Sequence, residues 1–211
     1  MNAMRHPYEN LRINLLAHLD RHHAKTLMFV GASAGDGVST TAIGFAQALA
    51  AGSVGGTVLV DANFRHPYLH KHFQVSGKPP GLVGLLAGDD PPTPAQTASP
   101  NLYVIPCGHD GTAEPPPFDS AQFGQFLADM KSRWDYVVVD AAPVLYSPES
   151  LCIAAKVDAV VMVVRAGTTR QKLAKRAKQQ IEEVGGMVVG VVLNRRKYYI
   201  PEALYKFFLG Q

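Results

Sequence analysis

The sequence predicts an α/β fold: one domain with a mostly parallel sheet and helices on both faces. Three observations carry this. Short β-branched runs such as Val58–Val60, Val137–Val139 and Val188–Leu193 alternate with segments of helical periodicity. The connections lack hairpin signals, so successive strands run parallel through helical crossovers. The chain has 211 residues, 47% of them hydrophobic, enough for one full core.

In chain order, Leu11, Leu15, Leu16 and Leu19 recur at helical spacing and predict a helix over 7–22, expected to precede the core rather than belong to it. The apolar run Thr26–Val30 is a strand. Gly31 to Val38 follows as a glycine-bearing loop, and a helix runs from Ser39 to about Ala50 with Ile43, Ala46 and Leu49 inward. Strand, glycine loop and helix together form a phosphate cradle. Gly35 and Gly37 let the backbone turn so that N–H groups converge, and the helix start adds the positive end of its dipole. A phosphate-binding P-loop also places a lysine just before its Ser/Thr, where a point charge reaches the outer phosphates. Here that residue is Val38.

Gly56–Asp61 is a strand ending in a carboxylate, on the edge where open α/β sheets bind ligands. Asp61 is a candidate for Mg²⁺ or its water shell, or a cap on the next turn. His66, His70 and His72 have no nearby acidic or cysteine residue to complete a metal set, and Leu69 and Phe73 make their segment a surface helix. Gly81–Gly88 reads as a helical turn, Asp89–Pro100 as a proline-rich loop, 101–106 as a strand and Phe118–Arg133 as a helix capped by Ser120 or Asp119. In Trp134–Pro143, three valines run into Asp140, the pattern of a buried parallel strand delivering a carboxylate to the same edge; the alternative is a plain turn aspartate. Val157–Val164 is a strand, Thr169–Val184 a helix with Leu173, Ala177, Ile181 and Val184 inward, and Met187–Asn194 a last buried strand.

The net charge of +3 is mild, but Arg165, Arg170, Lys172, Lys175, Arg176 and Lys178 crowd one segment. Such a cluster is a solvated helix face or a contact for an anionic partner. Cys107 and Cys152 read as small buried hydrophobes. The apolar runs are of strand length, short of the roughly 18 residues a membrane helix needs, so a soluble, cytoplasmic chain is expected.

Together, Ala32–Thr40, Val58–Pro67 and Asp135–Leu145 resemble the P-loop and the two aspartate motifs of the cytoplasmic domain of bacterial tyrosine autokinases of capsule and exopolysaccharide synthesis, relatives of the MinD/ParA ATPases. The resemblance covers nearly the whole chain: an N-terminal helix or arm over 1–24 and a P-loop domain over 25–211. It implies ATP or ADP on Gly35, Asp36, Gly37, Val38, Ser39 and Thr40, with Asn194 near the adenine. It implies Mg²⁺ on Ser39, Asp61 and Asp140, the two aspartates being catalytic, and phosphoacceptors at Tyr198, Tyr199 and Tyr205. The implied partner is the cytoplasmic tail of a membrane polysaccharide co-polymerase, at the inner face of the cell membrane, with self-assembly into homo-oligomers.

The departures run one way. The P-loop lysine is Val38, and Ser33, where the MinD/ParA branch has its signature lysine, does not supply one; the second carboxylate of the D-x-D motif is Asn63. The family's E-x-x-R-x-x-R assembly motif falls on His6, Glu9 and Arg12, retaining only its last arginine. Three readings follow: a degenerate domain acting as partner or regulator, with weak or absent nucleotide binding; an active ATP-dependent autokinase in which the loop amides, with Arg65 as a candidate beside them, take over the lysine's work; and a MinD/ParA-like positioning protein using Arg170–Lys178 on DNA or anionic lipid. The missing lysines count against the third, and DNA is the least expected partner.

Overall fold

The structure, a computed structural model, describes residues 5–77, 81–89, 91–108 and 117–196. A seven-stranded sheet runs in the order β3-β4-β2-β5-β1-β6-β7. Its strands are β1 (Thr26–Gly31), β2 (Thr57–Ala62), β3 (Ala95–Gln96), β4 (Leu102–Ile105), β5 (Tyr136–Ala141), β6 (Ala159–Arg165) and β7 (Val188–Asn194). All pairings are parallel except β3 with β4. The helices are α1 (Arg5–His22), α2 (Val38–Ala50), α3 (Leu69–Phe73), α4 (Leu82–Ala87), α5 (Ala121–Arg133), α6 (Pro148–Ala154) and α7 (Gln171–Glu183).

Strands β1 and β2 are buried at every residue, as expected of parallel strands covered on both faces. On one face, α1, α2 and α3 pack Leu15, Leu19, Phe45, Leu49 and Leu69 against Phe29, Leu59 and Val138. On the other, α4 to α7 bring Leu82, Phe123, Ile153 and Ile181 against Met28, Val60 and Val139. The Phe29 and Phe45 rings, 5.1 Å apart, lock β1 to α2 and so fix the two arms of the loop between them.

Several expectations are corrected here. Helix α1 does not stand outside the core: Leu15 and Leu19 are buried in it, because the leucine stripe has α2 to pack on. The expected loop 89–100 contains β3, which forms an antiparallel pairing with β4 through a turn held by the Thr97 hydroxyl, donating to Leu102 O at 3.0 Å. The predicted helix at 118 starts at Ala121, after Ser120, whose hydroxyl accepts from Phe123 N. Strand β7 is not buried, because it occupies the outermost place in the sheet; Val191 and Leu193 are each 55% exposed. On α7, Ala177 and Ile181 are buried, but Val184 lies just past the helix and is exposed.

Candidate nucleotide and metal site

The C-terminal ends of β1, β2 and β5 converge on one edge. From β1 the chain enters the loop 32–37, and α2 begins at Val38 with Gly37 as its N-cap, in the left-handed region at φ 88°. Among the described residues no side chain caps the helix, and its first residues, Val38 to Thr40, line a cleft over the loop. The cleft has a volume of about 250 Å³. Gly35, Gly37, Ser39 and Thr40 line it, as the sequence predicts, and so do Val38 and Asp36.

Asp36 holds the loop rather than facing a ligand with its charge. Its carboxylate is buried, accepting from Ser33 N at 2.9 Å and from the Thr169 hydroxyl at 2.5 Å. Asn194 donates from Nδ2 to Asp36 O at 3.0 Å, and a Cβ on Gly37 would meet that Nδ2 at 2.0 Å. The last strand therefore presses on the loop through Asn194, which places this residue beside Gly37. The loop is thus shaped by bonds from the β6–α7 turn and the end of β7. Nothing in the sequence around Thr169 signals this contact.

Val38 is 8% exposed and packs beneath the loop: a Cβ on Gly31 would lie 3.0 Å from its Cγ2. No lysine or arginine lines the cleft among the described residues; the basic group there is His66, with Tyr68 beside it. Both were missed as cleft residues, although they follow Asp61 closely in the second aspartate motif. Arg65 does not stand in for the lysine. Its guanidinium donates to the Ser147 hydroxyl at 3.2 Å and to Glu149 at 3.0 Å, which turns it to α6.

Asp61 and Asp140 are register partners on the adjacent strands β2 and β5, both fully buried. Their environments differ. Asp61 accepts from Tyr68 N and Leu69 N at 2.9 Å and from Asn63 N at 3.2 Å, so it anchors the turn into α3, the alternative role its position allowed. Burial nevertheless raises its pKa to about 6 against those three bonds. Asp140 has no hydrogen-bond partner on either oxygen among the described residues. Burial, and then the neighbouring Asp61 charge, push its pKa well up; the Ser39 hydroxyl is the one group favouring its ionised form.

An unpartnered buried carboxylate, a second beside it and a hydroxyl at the helix start are hard oxygen donors suited to Mg²⁺, which binds through one or two carboxylates and keeps several waters. These residues fit the ion: Asp140 and Ser39 would hold it, and Asp61, the register partner of Asp140, would add negative charge beside them. Asn63 contributes none; its side-chain oxygen accepts from His66 N in the turn. Tyr198, Tyr199 and Tyr205 lie outside the described residues. Arg12, the surviving residue of the assembly motif, is paired with Glu9 on its own helix at 2.9 Å.

No protein-family model matches the chain. It is 29% identical over 173 residues to the tyrosine-protein kinase CpsD of Streptococcus agalactiae, covering 81% of this chain and 75% of that protein. Other relatives it matches at 27–28% identity are likewise named tyrosine-protein kinases, CpsD of Streptococcus pneumoniae and YwqD of Bacillus subtilis among them. The crystal structure of the VpsO kinase domain superposes on this chain with a TM-score of 0.80 at 27% identity, covering 92% of this chain and 96% of the other. The septum site-determining protein MinD of Pyrococcus horikoshii, solved with Mg-ADP, shares the fold at a TM-score of 0.66 and 17% identity, over 87% and 76% of the two chains. The fold is therefore the α/β P-loop NTPase type, and the motif-based resemblance extends to the whole sheet.

Proposed function

We propose that this relative of the tyrosine kinases is a degenerate P-loop domain that works as an interaction partner or regulator in exopolysaccharide or capsule synthesis and export. The observation that supports it is the cleft itself. Loop, helix start and buried aspartates are in place, yet the lysine position holds a valine packed into the floor, and Arg65 is committed elsewhere. A lysine–phosphate bond is charge-assisted and contributes about 1.5–3 kcal/mol to binding. Its loss weakens nucleotide binding roughly 10- to 150-fold. Phosphoryl transfer suffers more, because charge stabilisation in the transition state is most of what such sites provide. The resemblance supports a membrane co-polymerase tail as the partner, with the domain at the inner membrane face; among the described residues no helix is long and apolar enough to cross a membrane.

Calorimetry with Mg²⁺-ADP and Mg²⁺-ATP tests this, comparing the native chain with Val38→Lys. The native chain should give little or no heat, and Val38→Lys should bind roughly 10- to 150-fold more tightly. Micromolar binding by the native chain, unimproved by the lysine, would sink the reading.

The Asp61–Asp140 pair favours a second reading. Two buried carboxylates in register are costly unless a cation is bound, so their retention supports an autokinase that keeps Mg²⁺-ATP through the loop amides. Phosphotyrosine on the purified chain, lost in Asp140→Asn, would establish it.

A further inference from the structure

The cleft over the loop has a second wall, the turn from β2 into α3, which contributes Asn63, His66 and Tyr68. Hydrogen bonds fix its backbone to the end of β2. His66 N donates to Asn63 O at 3.1 Å and to Asn63 Oδ1 at 3.3 Å, and the Asp61 carboxylate accepts from Tyr68 N and Leu69 N. The His66 side chain is exposed, and among the described residues its ring has no hydrogen-bond or ion-pair partner. Arg65, the residue before it, is tied to Ser147 and Glu149.

Gly35 and Gly37 line the same cleft with positive φ, 83° and 88°, and Ser39 and Thr40 bring the start of α2 to it. The first N–H groups of a helix lack intrahelical acceptors and carry the positive end of its dipole, an arrangement that favours a tetrahedral oxyanion. Negative charge nearby comes from three carboxyls. Asp36 in the loop is held by Ser33 N and the Thr169 hydroxyl, while Asp61 and Asp140 are buried at the ends of β2 and β5. On the turn and α3 the other titratable groups are Arg65, Tyr68, His70, Lys71 and His72; Val38 to Thr40 on α2, and Ala141 and Pro143 after β5, bring none. Among the described residues lining the cleft, His66 is thus the side chain able to set a positive charge against a bound anion.

We propose that His66 is the phosphate-contacting cation of this cleft. As imidazolium it donates a charge-assisted hydrogen bond to an oxyanion seated on the glycine loop, so the cleft takes a phosphate group, carried by a nucleotide or free, without Mg²⁺ and under mildly acid conditions. A P-loop lysine approaches from the loop itself and stays charged at physiological pH. His66 approaches from the other wall, and an imidazole gains its charge only as pH falls through the range from about 8 to about 5. The inference deepens the reading of the cleft as a cradle without its lysine, and rests on it. The two fail separately: if Val38→Lys does not bind Mg²⁺-nucleotide, the cradle reading fails, whereas if Val38→Lys binds and the native chain ignores an oxyanion in acid, only this inference fails.

The test is an NMR titration of the full chain with sodium sulfate, an oxyanion that keeps its charge across this range, at about pH 5.5 and about pH 8 with chloride holding the ionic strength constant. The Gly35 and Gly37 amide shifts report binding. Native affinity should be at least roughly tenfold higher at the lower pH, His66→Gln should lose that gain, and His66→Lys should bind at both pH values. Because His66→Gln keeps Asp36, Asp61 and Asp140, any pH response of theirs is common to the variant and the native chain. His66 is exposed and holds the turn through its backbone, so neither variant removes a bond of the fold, and the native titrations need no variant. Metal-free ADP in the same titrations separates the two sources: binding tighter than sulfate makes a nucleotide the occupant, equal or weaker binding a free oxyanion, and either supports the proposal. The proposal is overturned by any of three outcomes: no sulfate-induced shift in the native chain at the lower pH, the same pH dependence in His66→Gln, or His66→Lys binding no better than His66→Gln at the higher pH.

Discussion

Val38 and Asp140 show how single residues set what the site can do. Val38 gives the loop position before Ser39 an apolar side chain that packs below Gly31 and brings no charge to the cleft. Asp140 keeps a carboxyl group at a structural cost: among the described residues both of its oxygens are buried without hydrogen-bond partners. Asp140→Asn should therefore stabilise the metal-free chain by about 1–3 kcal/mol at pH high enough for both carboxyls to ionise, because it removes a buried charge beside Asp61. The same variant should lose any Mg²⁺-dependent rise in unfolding temperature; calorimetric scans with and without Mg²⁺ check both. The pH dependence has a definite sign. Asp61 holds its proton to about pH 6, above its unfolded value of 3.8, so between these values the folded chain binds more protons than the unfolded one. This pair thus contributes stability at low pH that is lost as pH rises through about 6, and Asp140 acts in the same direction. Mg²⁺ should restore stability near pH 7.5 and have little effect near pH 5, where protons compete for the carboxylates. Urea titrations at both pH values would reveal a wrong assignment as an Mg²⁺ response independent of pH.

At the scale of elements, α2 links the loop to the N-terminal helix. Tyr8 lies on Gly44, where an added Cβ would come within 2.4 Å of the ring, and its hydroxyl donates to Thr40 O at 3.4 Å in the first turn of α2. Gly44→Ala should push α1 off α2 and cost about 1–3 kcal/mol by overpacking. An unchanged unfolding midpoint would mean that α1 does not bear on this helix. Much of the element order was legible: strand, loop and helix around Gly35 and Gly37, and both strands ending in aspartate, follow from hydrophobic periodicity and glycine placement. The short β3 was hidden by its prolines, and the Thr169–Asp36 bond by a sequence separation of 133 residues that no local pattern reports.

For the whole molecule, the strand order sets what is shared and what is exposed. Placing β5 between β1 and β2 brings Asp140 beside Asp61 and both beside the loop, while β7 is left at the edge. The two helical layers make α1 part of one of the two cores. Removing residues 1–24 should therefore lower stability by about 3–6 kcal/mol, the burial of Leu15 and Leu19, with fraying of α2 visible as faster amide exchange. A truncated chain as stable as the full one would support a separate arm.

The sequence alone determined the α/β class, the loop and its missing charge, and the two aspartates at strand ends, because each is written in residues close together in the chain. The absent lysine is legible from the place of Val38 just before Ser39. Only tertiary structure decided that Val38 is packed as a floor, that Arg65 is held by Glu149 and that Asp61 spends three bonds on a turn while Asp140 has none. These depend on which strands become neighbours and what reaches across them, and such contacts arise only when separated segments fold together.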